Sequence, residues 1–335
     1  MKKSLKVLAL VMSVMMILTV AGCAGKSENK GNQSGTSEKF SVGIIQYMDH
    51  VALDDARNGF IDALKDNGYV DGENVTIDYQ NAQGDQSNLS TISDRFVSNK
   101  VDLVLAIATP AAQSIAGKTT EIPILATAVT DFVVAKLAES NEAPGGNVSG
   151  TTDMNPIKEQ IDLLVKLVPD VKTVGVLYTS SEDNSILQAK IAKEAIGALG
   201  LKYVEVTVTN SNDVQQATQS IVEQCDAIYI PTDNTFASAM PVVHGITSQS
   251  KTPVICGESG MVKNGGLATL GINYYNLGYQ TGLMAIKILK GEAEPATMPI
   301  ESQKDFDFLI NGDVAEEIGI TIPEDLQQYV VSSNN

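Results

Sequence analysis

Leu103-Val104-Leu105-Ala106-Ile107-Ala108-Thr109-Pro110-Ala111-Ala112-Gln113 is an unbroken apolar run that passes straight into a helix opening. The run Leu103–Ile107 has no polar residue, as expected of a strand buried on both faces, and such strands belong to parallel sheets. Thr109 is predicted as the N-cap and Pro110 as the first helical residue. The amides of Ala111 and Ala112 would then be free donors. Strand, tight turn and helix in so short a stretch form half of a βαβ unit.

The same alternation runs in both directions. Strands are predicted at Phe40–Gln46, Val75–Gln80, Ile124–Ala126, Thr173–Leu177, Val204–Val208, Ala227–Ile230, Val254–Ile255 and Leu267–Leu270. Between them apolar residues recur at helical spacing, as in Ala52, Ala56, Phe60, Ala63 and Leu64, which stop at Gly68. Pro144-Gly145-Gly146-Asn147 interrupts the series, which restarts with a helix near Pro156 and the strand at Thr173. This predicts an α/β fold of two Rossmann-like lobes with parallel sheets. A last helix, Leu277–Leu289, and a short extended tail are too small for a third domain and are expected to cross back between the lobes.

In open parallel sheets, ligands sit beyond the carboxyl ends of strands, where helix N-termini point. The turns at those ends supply the candidate residues. The first lobe offers Gln46, His50, Thr109, Ala111, Ala112 and Thr127; the second offers Ser181, Asn184, Ser185, Asp233, Asn234 and Glu258. Helix amides and hydroxyls suit a carboxylate, and Asp233 and Glu258 suit an ammonium. Together they fit an amino acid or a similar zwitterion. Such residues also cap helices without any ligand; it is their occurrence in both lobes that points to a ligand. Tyr47, Tyr178 and Phe236 are open to two readings, an aromatic pocket wall or ordinary packing.

Composition narrows the function. The chain carries 40 acidic against 23 basic residues, a formal charge of −17. Nucleic-acid binding through phosphate neutralisation is excluded on that balance. Arg57 and Arg95 are the only arginines, so the bidentate fork for phosphate is scarce. No G-x-S-x-G, H-E-x-x-H or Walker loop is present. No enzyme, cofactor or metal site is predicted. Cys225 and Cys256 are expected as free thiols rather than a disulfide, and His50 as a hydrogen-bonding partner rather than a base.

The chain opens with Lys2, Lys3 and Lys6, the apolar run Val7–Val20, and Ala21-Gly22-Cys23. A basic start, a run shorter than the ~20 residues a membrane span needs, and small residues before a cysteine make an export signal with a lipid-attachment site. The alternative, a chance cysteine in an uncleaved anchor, explains neither the small residues nor their position. Ala24 to Lys39 holds no apolar residue larger than alanine, so it reads as a flexible tether.

The lipobox, Phe40 to Gln46, His50 with Leu53-Asp54, Ala108 to Gln113, Ser180 to Ser185, Pro231-Thr232-Asp233-Asn234 and Gly271-Ile272-Asn273-Tyr274 together resemble the TrpX-like substrate-binding lipoproteins of ABC transporters. The resemblance covers the whole body. It departs from the family at Val51, where a proline often follows the loop histidine. It implies a type I periplasmic-binding fold with a ligand cleft between two lobes joined by three crossovers. It also implies capture of a small solute, aromatic amino acids foremost, for a permease and its ATPase. The expected organisation is a signal at 1–22, a tether at 23–39, an N-terminal lobe at 40–150 plus about 275–303, and a C-terminal lobe at 151–274 plus about 304–330. The protein is expected outside the cytoplasm, lipid-anchored to the cell membrane and monomeric. The rival readings are a binding protein for a sugar, nucleoside or signal molecule, and a sensor lipoprotein presenting its ligand to a receptor.

Cys23→Ala is expected to abolish lipid attachment and release the protein from the membrane fraction. Labelling with a fatty-acid probe checks it: incorporation at the wild-type level in the variant would refute the assignment.

Overall fold

The structure, a computed structural model, describes residues 39–332. The expected signal, Cys23 and all but the last residue of the tether lie outside them. The chain runs β1 (Phe40–Gln46), α1 (Val51–Asp66), β2 (Val75–Asn81), α2 (Gln86–Asn99), β3 (Leu103–Ile107), α3 (Thr109–Ala116), β4 (Ile124–Val129) and β5 (Val148–Thr152). It continues through α4 (Ile157–Leu167), β6 (Thr173–Thr179), α5 (Asp183–Ala198), β7 (Lys202–Val208), α6 (Val214–Val222) and β8 (Ala227–Ile230). Then come α7 (Asn234–Ser238), α8 (Met240–Ser250), β9 (Val254–Cys256), α9 (Ser259–Lys263) and β10 (Ala268–Gly271). Last are α10 (Tyr274–Leu289), β11 (Glu301–Ser302), β12 (Asp307–Asn311), α11 (Gly312–Ile318) and β13 (Val330–Val331).

These strands form two sheets, in the orders β11-β5-β4-β3-β1-β2 and β13-β12-β10-β9-β8-β6-β7. All pairings are parallel except β10 with β12. The chain therefore passes between the sheets three times, after β5, after β10 and after β11. Two parallel-sheet α/β lobes of the expected class result.

Each sheet is packed on both faces. Val42 and Ile44 join one apolar cluster with α1 and α10, and Ile45 and Val104 join another with α2 and α3. In the second sheet Val174 and Val176 face α4 and α5, while Ile228 and Ile230 face α6 and α8. Alternate strand residues point to opposite faces, so strands buried on both must be apolar throughout.

Strand β5 follows another rule. Val148-Ser149-Gly150-Thr151-Thr152 has one large apolar residue, yet the strand sits inside the first sheet and runs two residues past the expected lobe boundary. Its hydroxyls are satisfied internally. Ser149 donates to the Met298 carbonyl at 2.7 Å, and Thr151 shares hydrogen bonds with Thr127 at 3.0 Å and Thr281 at 2.8 Å. Gly150 has φ +149, and a side chain there would meet the Ala126 carbonyl.

Helices α1 and α10 approach backbone to backbone. A Cβ on Gly278 would stand 1.8 Å from the Ala56 carbonyl oxygen, and one on Gly59 2.0 Å from that of Tyr275. Overpacking of this kind typically costs ~1–3 kcal/mol, and collision with backbone belongs at the upper end. Gly278→Ala should therefore lower the unfolding free energy by about 3 kcal/mol in urea titration. A loss under about 0.5 kcal/mol would contradict the packing described.

Candidate functional site

The carboxyl ends of both sheets meet around a narrow, nearly closed cavity with about 10 Å³ of free space. From the first lobe His50, Leu53, Ala128 and Thr130 line it; from the second Asn184, Thr232, Asp233, Asn234, Ala237 and Glu258. Asp153 and Tyr274, which follow β5 and begin α10, complete the wall. Small-molecule sites typically span ~300–1,000 Å³; this closed arrangement leaves room for about one water and would have to open for a solute.

Hydrogen bonds join the lobes at the cavity and beside it. His50 Nε2 lies 3.2 Å from Asn234 Oδ1, Gln113 donates to Asp183 at 2.8 Å, and Gln188 of α5 donates to Thr130 Oγ1 at 3.3 Å. Helix α1 opens at His50 with no side-chain cap, so its first-turn amides keep donor capacity beside Leu53.

Three lining residues are acids, and none of the lining residues is Lys or Arg. Burial raises the pKa of Asp153, Asp233 and Glu258, the last to about 7. Glu182, just behind the wall, is raised by burial and by the negative charge of Asp233. His50 is lowered by burial to about 4, so it is neutral at pH 7. The Tyr47 hydroxyl is raised by burial and by the charges of Glu182 and Asp233. A buried carboxylate without a countercharge is costly, so the cavity favours a cationic group.

The acids are held differently. Asp233 caps α7: its carboxylate accepts from Thr179 N at 2.6 Å, Thr179 Oγ1 at 2.9 Å and Phe236 N at 2.9 Å. Glu258 caps α9, accepting from Met261 N at 2.8 Å and from Gly260 N. Asp153 accepts from Tyr274 OH at 2.6 Å and Thr130 Oγ1 at 3.0 Å.

Of the residues expected from sequence, His50, Asn184, Asp233, Asn234 and Glu258 line the cavity. Ser185 sits behind it, bonded to Asp233 and Asn184. Gln46 is fully buried and pins the following loop by donating to the Met48 carbonyl at 2.9 Å and to Asp54. Thr127 belongs to the internal threonine network, and Ser181 is exposed and donates to the Thr209 carbonyl.

Three expectations at α3 are corrected. The cap position is Ala108, at φ 83, with Thr109 and Pro110 inside the first turn. The amide of Ala112 is taken by the Ala108 carbonyl at 3.1 Å. Ala111 and Ala112 are wholly buried in the first-lobe core rather than lining the cavity. Thr109 Oγ1 is buried without a partner. The backbone at Ala108 and at Ala128, φ 55, is in the left-handed region at the ends of adjacent strands, a strain that concentrates at functional sites.

Asp153, Thr130, Thr232 and Tyr274 were not among the site residues expected. The motif Gly271-Ile272-Asn273-Tyr274 pointed toward Tyr274, but Asp153 follows a strand whose polar composition hid it. Of the possible pocket aromatics, Phe236 is in the second-lobe core and Tyr178 packs outward against Glu205. Cys225 and Cys256 are free thiols.

Residues 41–333 match the family described as ABC transporter substrate binding protein. The chain is 38% identical to the tyrosine-binding protein of Clostridioides difficile (strain R20291), across 99% of this chain and 98% of that one. It is similar to a crystal structure of an ABC domain from Streptococcus pneumonia in complex with L-Trp, at 39% identity and TM-score 0.85, covering 88% of this chain and 99% of that one. A ligand-free, open structure of a substrate binding protein with adhesive properties from Clostridium difficile is 45% identical, with TM-score 0.67 and coverage of 88% and 98%. The arrangement here thus overlays the liganded structure more fully than the open one, although the open one is nearer in sequence.

The buried acids make stability depend on pH. An acid whose folded-state pKa is raised confers stability that is complete below its ordinary value, 4.5 for Glu258, and is lost as pH rises through about 7. That shift corresponds to about 3 kcal/mol for this buried group. His50 acts in the opposite sense, losing its contribution as pH falls from 6.5 toward about 4. Both wild type and Glu258→Gln contain His50, so their difference isolates Glu258. Urea unfolding at pH 4.5 and pH 8 should show the variant gaining about 3 kcal/mol relative to wild type, and a constant difference would contradict the assignment.

Proposed function

Because the chain belongs to the family of ABC transporter substrate binding proteins, we propose that it captures a free aromatic amino acid outside the cytoplasm for import. The observation that carries this reading is the cavity itself: buried acids, no basic side chain, and walls from both lobes and the segments between them. An amino acid brings the missing cation. Relatives that bind tyrosine and L-Trp support the aromatic side chain.

The mechanism is lobe closure. A solute that touches both lobes favours the closed arrangement by its differential affinity for that state. The cross-lobe bonds of His50, Gln113 and Gln188 then form around it. Lipid on Cys23 holds the monomer at the membrane, and the closed, loaded form docks on the permease. Work from the cytoplasmic ATPase parts the lobes.

Calorimetry and thermal shift on the full chain test this against amino acids, sugars and nucleosides. L-Tyrosine or L-tryptophan at about 100 times its dissociation constant should add ~2.7 kcal/mol of stability. If neither binds and a sugar or nucleoside does, the reading is wrong.

A further inference from the structure

We infer that Asp153, and not Asp233 or Glu258, is the acid that receives the ammonium of the bound amino acid. The inference rests on the amino-acid reading above and deepens it. The three acids of the cavity differ in what already holds them. Asp233 and Glu258 are committed to the first turns of α7 and α9, and each accepts two backbone amides. Those amides are fixed in direction by the backbone and already stabilise the charge. Apart from its own amide, Asp153 is held by two hydroxyls, those of Thr130 and Tyr274. A hydroxyl is a rotor that donates or accepts. The carboxylate has about four lone-pair sites, so two hydroxyls leave room for an incoming N–H donor.

A second observation points to the same spot. Asn184 lines the cavity, is 6% exposed, and its Oδ1 is buried with no partner. Its Nδ2 end donates to Glu182 and to the Thr232 carbonyl, which fixes the orientation of the amide. Oδ1 is therefore an idle acceptor on a residue that lines the same small cavity as Asp153. An ammonium has three donors and needs more than one acceptor. Asp153 and Asn184 Oδ1 supply a charged one and a neutral one. Burial with no cation beside it holds the Asp153 pKa above its ordinary value, and an ammonium would reverse that by supplying the countercharge.

Asp153 sits in the first passage between the lobes, and Tyr274 follows the second. Asn155, two residues on, accepts from Ile272 N at 2.9 Å and donates to Thr232 Oγ1 at 2.9 Å. Ligand charge thus lands on the hydrogen-bonded crossover segments rather than on either lobe alone. Tyr274 and Thr130 are positioning residues in this scheme.

The test pairs a variant with a ligand change. The full chain and its Asp153→Asn variant are titrated with L-tyrosine and with 3-(4-hydroxyphenyl)propanoate, which lacks only the amine. Asp153→Asn should weaken tyrosine about 30-fold or more, as truncating a buried charge pair does, and should move the deaminated analogue less than about threefold. Equal losses for both ligands, or tyrosine binding within about threefold of wild type, would overturn the inference alone. Should Asp153→Asn not fold, Tyr274→Phe frees the carboxylate from its positioning hydroxyl. It should show the same amine-selective loss at about tenfold, and a uniform loss would again overturn it. A wild-type chain that binds neither tyrosine nor tryptophan overturns the amino-acid reading, and this inference with it.

Discussion

The hydrogen bond from Tyr274 to Asp153 ties two of the three passages between the lobes. Much of the structure is organised around it. Tyr274 is the first residue of α10, and α10 lies against α1 with no side chain between their backbones at Gly59 and Gly278. The residue at the cap of α1, His50, in turn reaches Asn234 in the other lobe. Through one phenol and two glycines, the crossover segments, the first-lobe wall and the mouth of the cavity share a frame.

The third passage joins the same arrangement. Gln303 accepts from Asn273 N at 3.2 Å and donates to the Asn273 carbonyl at 2.9 Å, and Asn273 donates to Asp307 at 2.8 Å. Crossing segments carry polar backbone into a region walled by two lobes, where unpaired groups are costly. Side-chain amides meet that cost here. They recur at each passage, as Asn155, Asn273 and Gln303, because one amide both donates and accepts.

The two-lobe architecture was legible because buried parallel strands must be apolar on both faces; Leu103–Ile107, Phe40–Gln46 and Ala227–Ile230 coincide with the observed strands. The residues beyond those strands were therefore legible too, and His50, Asn184, Asp233, Asn234 and Glu258 all reach the cavity. Strand β5 was not, since Ser149, Gly150, Thr151 and Thr152 give no hydrophobic period. Its burial depends on hydroxyl partners, Thr127, Thr281 and the Met298 carbonyl, far away in sequence. Losing β5 hid Asp153, which the strand delivers to the cavity. The error at Thr109 is of another kind. Local preference favours Thr as the cap and Pro at the first position, since a residue before proline avoids the helical region, and the one-residue shift here goes with an unusual backbone at Ala108.

The joined helices α1 and α10 also divide the labour of evolution between the lobes. A first-lobe wall carried on glycine-to-carbonyl contacts has almost no freedom to be reshaped, since enlarging Gly59 or Gly278 displaces the backbone itself. The second-lobe wall hangs on α7 and α9, five residues each, set by single acidic caps. Descendants of this chain that come to recognise other solutes should therefore differ chiefly in those two short helices, against an inherited and nearly invariant opposite wall.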